Sequence, residues 1–74
     1  MNFDFGQHLK ALRQSKKLTQ KQLGINIGAS ERGIQNYELN LRKPTYEMLI
    51  ALADYFNVSI DYLVGRTDNP DVNK

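Results

Sequence analysis

The sequence predicts an all-α fold, a compact bundle of five helices in a single domain. Apolar residues recur at intervals of three and four, as on one face of a helix, and no segment alternates as a half-buried strand does. Nearly every gap between these periodic segments carries a Ser, Thr or Asp placed to cap a helix. Only two prolines and five glycines interrupt the 74 residues, so helices can occupy most of the chain.

The first two helices are predicted over residues 4–15 and 19–26. Asp4 precedes apolar residues spaced at i, i+4 and i+7, which places them on one stripe. Thr19 opens the second helix, and Gln22 stands three residues later, where it can complete a capping box.

Three further helices follow from the same signals. Residues that can cap a helix precede each remaining apolar segment, and they predict helices over 30–38, 45–56 and 59–64, opened by Ser30, Thr45 and Ser59. Residues 67–74 are polar and lack periodicity. We therefore expect a domain over residues 1–66, followed by a frayed tail or a linker over 67–74.

Composition excludes several function classes. The chain has no cysteine and a single histidine, His8, which rules out disulfides, thiolate metal sites and a histidine metal cluster. It has no nucleophile motif and no glycine-rich phosphate loop, so we expect no enzyme activity, no catalytic residue, no metal and no cofactor. His8 is interpreted as a surface or groove residue.

No apolar run approaches the roughly 18 residues of a membrane span, no secretory signal pattern is present, and no small-molecule site is evident. We therefore expect a cytoplasmic protein with no membrane partner.

Charge is distributed unevenly along the chain. Residues 1–43 hold eight Lys and Arg against three Asp and Glu, a net charge of +5, whereas residues 44–74 hold two against five, a net charge of −3. This asymmetry is compatible with a basic face that meets a polyanion, and equally with an ordinary solvated surface.

Residues 18–38 have the pattern of two short helices joined by a tight turn. Gly28 follows the first of these helices, at a position where a left-handed backbone costs glycine least. Ser30 restarts a helix two residues later. Because so short a connection makes the two helices cross steeply, the segment is predicted to form a helix-turn-helix.

The second of these helices divides into an apolar and a polar face. Ile34 and Tyr37 point towards the core, while an arc of about 140° on the other side holds four residues that can hydrogen-bond to base edges: Glu31, Arg32, Gln35 and Asn36. Arg suits guanine, Gln and Asn suit adenine, and Glu can accept from cytosine. The alternative is a solvated helix surface. Gly33 flanks this arc, either because DNA approaches closely there or because the helix merely tolerates a glycine.

Residues around the two helices raise the weight of the base-reading hypothesis. Thr19 and Gln20 begin the first of the two helices, where free backbone N–H groups attract phosphate. Four basic residues flank the pair and could neutralise phosphates: Lys16, Lys17, Arg42 and Lys43.

With these residues in place, the sequence closely resembles the Cro/repressor-type helix-turn-helix family, also called the XRE family. The resemblance covers about residues 5–66 and is carried by Leu9-Lys10, Leu12-Arg13, Leu18-Thr19-Gln20, Leu23, Ile27-Gly28, Ser30, Ile34, Tyr37-Glu38, Arg42-Lys43-Pro44, Leu49, Leu52-Ala53, Phe56-Asn57-Val58-Ser59 and Asp61-Tyr62-Leu63-Val64-Gly65-Arg66. The chain departs from the usual family pattern at Gly24, Ala29 and Leu39-Asn40. Gly24 is expected to loosen the second helix slightly, and Asn40 can still adopt a left-handed conformation.

The resemblance implies a lambda-repressor-like DNA-binding domain of a bacterial or phage transcriptional regulator. Its third helix, about 30–38, would enter the major groove of double-stranded DNA. By position, the resemblance implies base reading by Glu31, Arg32 and Asn36 with Gln35 beside them, and phosphate contacts by Thr19, Gln20 and Ser30. It also implies a structural pair, Arg13 with Glu38, that joins the first and third helices.

Family members usually repress from inverted-repeat operators as dimers, so we expect a homodimer on DNA. Candidate interface residues stand near the end of the chain: Val58, Ile60, Tyr62 and Val64. They could equally pack on the fourth helix. An antitoxin or another protein-interaction module on the same fold is the alternative function, although such a module would tend to present an apolar recognition face.

Overall fold

The computed structural model describes residues 3–71, so residues 1–2 and the last three residues of the predicted tail, 72–74, lie outside the described part. Within residues 3–71, five α-helices follow one another: α1 (Phe5–Ser15), α2 (Gln20–Ile27), α3 (Glu31–Glu38), α4 (Tyr46–Phe56) and α5 (Ile60–Leu63). Over the described residues there is no strand, and no helix is both long and apolar enough to cross a membrane. The predicted five-helix fold is therefore confirmed, with ends that differ by one residue.

Every helix begins after a side-chain cap that the sequence predicts. The five caps have extended backbones, and each side chain accepts a hydrogen bond from the backbone N–H three residues later: Asp4, Thr19, Ser30, Thr45 and Ser59. In α2 the bond is returned, because the Thr19 N–H donates to Gln22 Oε1 at 2.8 Å. These local bonds satisfy N–H groups that have no partner within the helix.

The core draws one fully buried side chain from each helix: Leu9, Leu23, Ile34, Leu52 and Leu63. Ala53, Phe56 and Val58 complete it. α2 packs on α3, α1 packs on α3, and α4 packs on α5. Because each helix contributes a buried apolar residue to this one cluster, α3 packs against the core on one side and is exposed on the other.

Val58, a candidate for the predicted dimer interface, packs in the core instead. Its side chain is 9% exposed and lies in the core. The reason is the end of α4, where Asn57 adopts a left-handed backbone (φ +56°) and the Val58 N–H donates to the Ala53 carbonyl at 3.0 Å. This turn directs Val58 inward just before α5 begins.

The start of α1 lies directly on the end of α3. A Cβ on Gly6 would collide with the backbone carbonyl of Glu38, so glycine is needed for this approach. Asn40, left-handed as expected (φ +60°), accepts from the Gly6 N–H at 2.9 Å and donates to Asp4 Oδ1 at 2.8 Å. The Asp4 carboxylate accepts hydrogen bonds from the Asn40 side chain and from the Gln7 N–H. These two bonds, that from Asn40 first, lower the pKa of Asp4.

Candidate nucleic-acid interface

The turn between α2 and α3 is built from small residues. Gly28 has a left-handed backbone (φ +79°), and the Ala29 N–H donates to the Gly24 carbonyl at 2.8 Å. A Cβ on Gly24 would lie 2.6 Å from the Ala29 carbonyl oxygen. Gly24 therefore lets α2 pack closely against the turn, which is a larger role than the slight loosening expected from sequence.

α3 turns its apolar side towards the core. Ile34 is fully buried, and Tyr37 is half-buried against the core. Helical periodicity places the four predicted base-reading residues on the opposite side; three of them are exposed, namely Glu31, Arg32 and Gln35, and Asn36 is half-buried. α3 thus presents a polar side that no other described helix covers.

A buried ion pair fixes the end of α3. Arg13 Nε donates to Glu38 Oε2 at 2.6 Å and Nη2 donates to Oε1 at 3.0 Å, with the two side chains only 11% and 4% exposed. The hydrogen bond with Glu38 is the main reason that the pKa of Arg13 is raised. Arg13 Nη1 also donates to the Leu18 carbonyl at 2.7 Å, and Gln20 Nε2 donates to Glu38 Oε1 at 3.1 Å. One carboxylate therefore connects α1, α2 and α3.

The predicted phosphate contacts lie on the segments that flank α2 and α3. Lys16, Lys17 and Thr19 are exposed between α1 and α2, and Arg42 and Lys43 are exposed in the loop after α3. Gln20 is half-buried and already gives one amide hydrogen to Glu38, so only its second one can reach a phosphate.

Two hydroxyl groups at helix starts keep a hydrogen to donate. Thr19 Oγ1 accepts from the Gln22 N–H at 3.0 Å, and Ser30 Oγ accepts from the Gly33 N–H at 2.9 Å. Because each hydroxyl acts as an acceptor in its cap, its own O–H can donate to an incoming anion. Both therefore suit the phosphate contacts that the resemblance implies for them.

A helix-turn-helix family model matches residues 9–63. The chain belongs to the helix-turn-helix family. Together with the relatives described next, the match confirms the predicted resemblance to Cro/repressor-type members.

Known helix-turn-helix proteins resemble most of this chain. The uncharacterized HTH-type transcriptional regulator YobD of Bacillus subtilis is 42% identical over 65 residues, which are 88% of this chain and 58% of YobD. The P22 c2 repressor, solved in complex with synthetic operator 9T, superposes with a TM-score of 0.80 at 32% identity and covers 85% of this chain and 96% of its own. A transcriptional regulator from Listeria innocua gives a TM-score of 0.81 at 34% identity over 88% of this chain and 61% of its own. This chain thus spans less than two thirds of YobD.

The remaining candidates for a helix-turn-helix dimer interface lie on α5 and just after it. Ile60 is 39% exposed, whereas Tyr62 and Val64 are half-buried. The Tyr62 ring packs edge-on against His8 at 4.8 Å between centroids, and the Phe3 ring also packs edge-on against His8 at 5.3 Å. His8 is therefore partly enclosed by aromatic rings, which the sequence interpretation as a surface or groove residue did not include.

Sequence reasoning missed the structural roles of Tyr37 and Gly6. Tyr37 was assigned to the core, yet it also lines a recess beside α3. Gly6 carried no signal, because the need for a glycine there arises only when α1 meets the end of α3.

Over residues 3–71, no three His, Asp or Glu side chains are grouped so that they could hold a metal ion.

Proposed function

We propose that this chain binds double-stranded DNA in a sequence-specific manner, with α3 as the recognition helix in the major groove. The observation that carries the proposal is the exposed polar side of α3, flanked by basic loops before α2 and after α3. The P22 c2 repressor, whose fold this chain shares over 85% of its length, is described in complex with an operator. A helix backed by the core on one side and polar on the other fits a groove that displays donors and acceptors.

In this proposal the four polar residues of α3 read bases: Glu31, Arg32, Gln35 and Asn36. Arg32 suits the O6 and N7 atoms of guanine, and the two amides suit adenine. The residues of the flanking segments hold phosphates and fix the register of α3 in the groove: Lys16, Lys17, Thr19, Gln20, Ser30, Arg42 and Lys43.

We further propose that two copies bind an inverted repeat, one copy on each half-site. Ile60 offers an exposed apolar side chain on α5, and Tyr62 and Val64 contribute partly exposed surface beside it. A two-fold dimer would place its two recognition helices about one turn of DNA apart, roughly 34 Å. Binding across a promoter would then repress transcription by occlusion, in the cytoplasm of a bacterium and associated with the nucleoid.

Selection of binding sites from random duplex DNA, at low and at physiological salt, tests the proposal. We expect an enriched inverted repeat, and an affinity that falls steeply with salt because each neutralised phosphate adds about −0.9 to the slope. Arg32→Ala should lower binding to the selected site. Arg66→Ala is the matched control, because it removes the same charge from an exposed side chain after α5.

Two outcomes would contradict parts of the proposal. Sequence-blind binding without enrichment would favour the antitoxin or protein-interaction alternative.

A reporter whose promoter overlaps the selected site should lose expression when the protein is present. A rise in expression would show activation and would leave DNA binding intact.

A further inference from the structure

A recess lies on the polar side of α3, between the helix and the loop that follows it. Its volume is about 350 Å³, and six residues line it: Ser30, Arg32, Gly33, Asn36, Tyr37 and Arg42. Arg42 is held there by its backbone, because its N–H donates to the Asn36 carbonyl at 3.4 Å. The recess therefore joins the predicted base-reading face to the basic loop after α3.

The floor of the recess is Gly33, where a Cβ would meet no backbone atom. Four of the five glycines are needed, since two have left-handed backbones and two lie where a Cβ would collide with backbone atoms: Gly28, Gly65, Gly6 and Gly24. At Gly33, a Cβ would meet only Ser30 Oγ, at 3.2 Å. A glycine inside a helix is less favourable than an alanine. No backbone atom would block a side chain at Gly33, so the space beside it is open to a ligand.

The chemistry of the lining favours an anion. Both charged residues that line the recess are arginines. The Ser30 hydroxyl, whose oxygen accepts from the Gly33 N–H, still has its own hydrogen to donate. Tyr37 adds a phenolic O–H and Asn36 an amide, so every lining side chain can donate a hydrogen bond.

We propose that this recess seats one phosphodiester group of the DNA backbone, with Tyr37 as its neutral donor, Arg42 as its charged donor and Gly33 as its open floor. The inference rests on the proposed function, since it assigns a particular part of the DNA to a particular part of α3. It makes Gly33 and Tyr37 determinants of affinity rather than of sequence preference. A seated phosphate also fixes how deeply α3 enters the groove.

Three variants give different signatures when their affinities for the selected site and for a scrambled duplex are measured over a series of salt concentrations. Tyr37→Phe should weaken binding to both duplexes by the same factor, about tenfold, because a hydrogen bond to a charged group is lost. Its salt slope should not change, because no charge is removed. Arg42→Gln should weaken both and make the slope shallower by about one unit.

Gly33→Ala tests the floor of the recess. The added methyl group should weaken binding to both duplexes by about fivefold. The melting temperature should change little, because alanine favours the helix while its Cβ would lie 3.2 Å from Ser30 Oγ, which caps the helix. Tyr55→Phe is the matched control for Tyr37→Phe, since it loses the same atom from a hydroxyl that bonds to Asn26 at 2.9 Å. It should bind both duplexes as the unmodified protein does.

The outcomes separate the two proposals. If the unmodified protein shows no DNA binding at all, the proposed function fails. If the unmodified protein binds its site and both Tyr37→Phe and Gly33→Ala bind equally well, the recess is not a phosphate site and the function stands. If Tyr37→Phe weakens only the selected site, Tyr37 reads a base and the inference is overturned.

Discussion

Replacing Glu38 with glutamine tests how the recognition helix is held. The carboxylate accepts three hydrogen bonds, at 2.6 and 3.0 Å from Arg13 and at 3.1 Å from Gln20. An amide has one acceptor oxygen, and its nitrogen would face a donor. The substitution therefore leaves the Arg13 guanidinium, only 11% exposed, without a counter-charge.

The expected loss is a large share of the stability of this domain. Removing one partner of a buried ion pair costs about 3–5 kcal/mol. A chain of 74 residues has an unfolding free energy of roughly 4–11 kcal/mol at 0.05–0.15 kcal/mol per residue. Glu38→Gln should thus move the urea midpoint far down, or unfold the domain in part without denaturant.

Urea unfolding at neutral pH, followed by far-ultraviolet circular dichroism, measures this loss. Asp61→Asn is the control, because the Arg66–Asp61 pair is 3.4 Å long with side chains 76% and 65% exposed, and such pairs contribute no more than about 1 kcal/mol. A loss for Glu38→Gln as small as that of the control would refute the reasoning. The double variant Arg13→Met, Glu38→Leu should recover stability, since apolar replacement of a buried pair is often neutral or stabilising.

Three other substitutions address the proposed base-reading face of α3, the aromatic rings around His8 and the contact of α1 with α3. Arg32→Ala should cost about 1–3 kcal/mol at the selected site and relax the preference at one base pair in a repeated selection, whereas an equal loss on all sequences would make Arg32 a phosphate contact. Burial lowers the pKa of His8, so the unfolded chain binds more protons as the pH falls below about 6.5. The contribution of neutral His8 to the unfolding free energy should therefore be fully present above that pH and should decrease as the pH falls towards the folded-state pKa. Urea midpoints measured between about pH 7.5 and about pH 5.5 should show this decrease, and His8→Gln should make it smaller. Gly6→Ala should lower the unfolding free energy by about 1–3 kcal/mol despite the better helix propensity of alanine, because its Cβ would lie 2.9 Å from the Tyr37 carbonyl oxygen; a melting temperature equal to that of the unmodified protein would mean that α1 can shift without cost.

The helices were predictable because their signals are local. A cap such as Thr19 bonds within three residues, and the apolar spacing within α4 repeats over 11 residues, so a window of sequence contains the whole interaction. α5 has only four residues, which is too short for a period to show which side is covered. For this reason the apolar residues from 58 to 64 could be assigned either to a dimer interface or to packing on α4, and Val58 is in fact buried in the core.

Contacts between distant parts of the chain could not be read from such windows. The bond between Gly6 and Asn40 spans 34 residues, and the enclosure of His8 needs the ring of Tyr62 from the other end of the chain. The pairing of Arg13 with Glu38 came from the family resemblance, since two charges 25 residues apart carry no periodic signal. The recess beside Gly33 depends likewise on how the loop bearing Arg42 folds back towards α3.

We expect the shared Glu38 carboxylate to link the stability of the domain to the proposed reading of bases by α3. Arg13 stands in the last turn of α1, Gln20 is the first residue of α2, and Glu38 is the last residue of α3, so three helix ends meet at one buried group. Rotating α3 against α2 would break these bonds, and bidentate pairing with a base tolerates little misplacement. Phosphate contacts from flexible side chains tolerate more. A stable variant that lacks the pair should therefore lose discrimination between the selected and scrambled duplexes before it loses affinity for DNA in general.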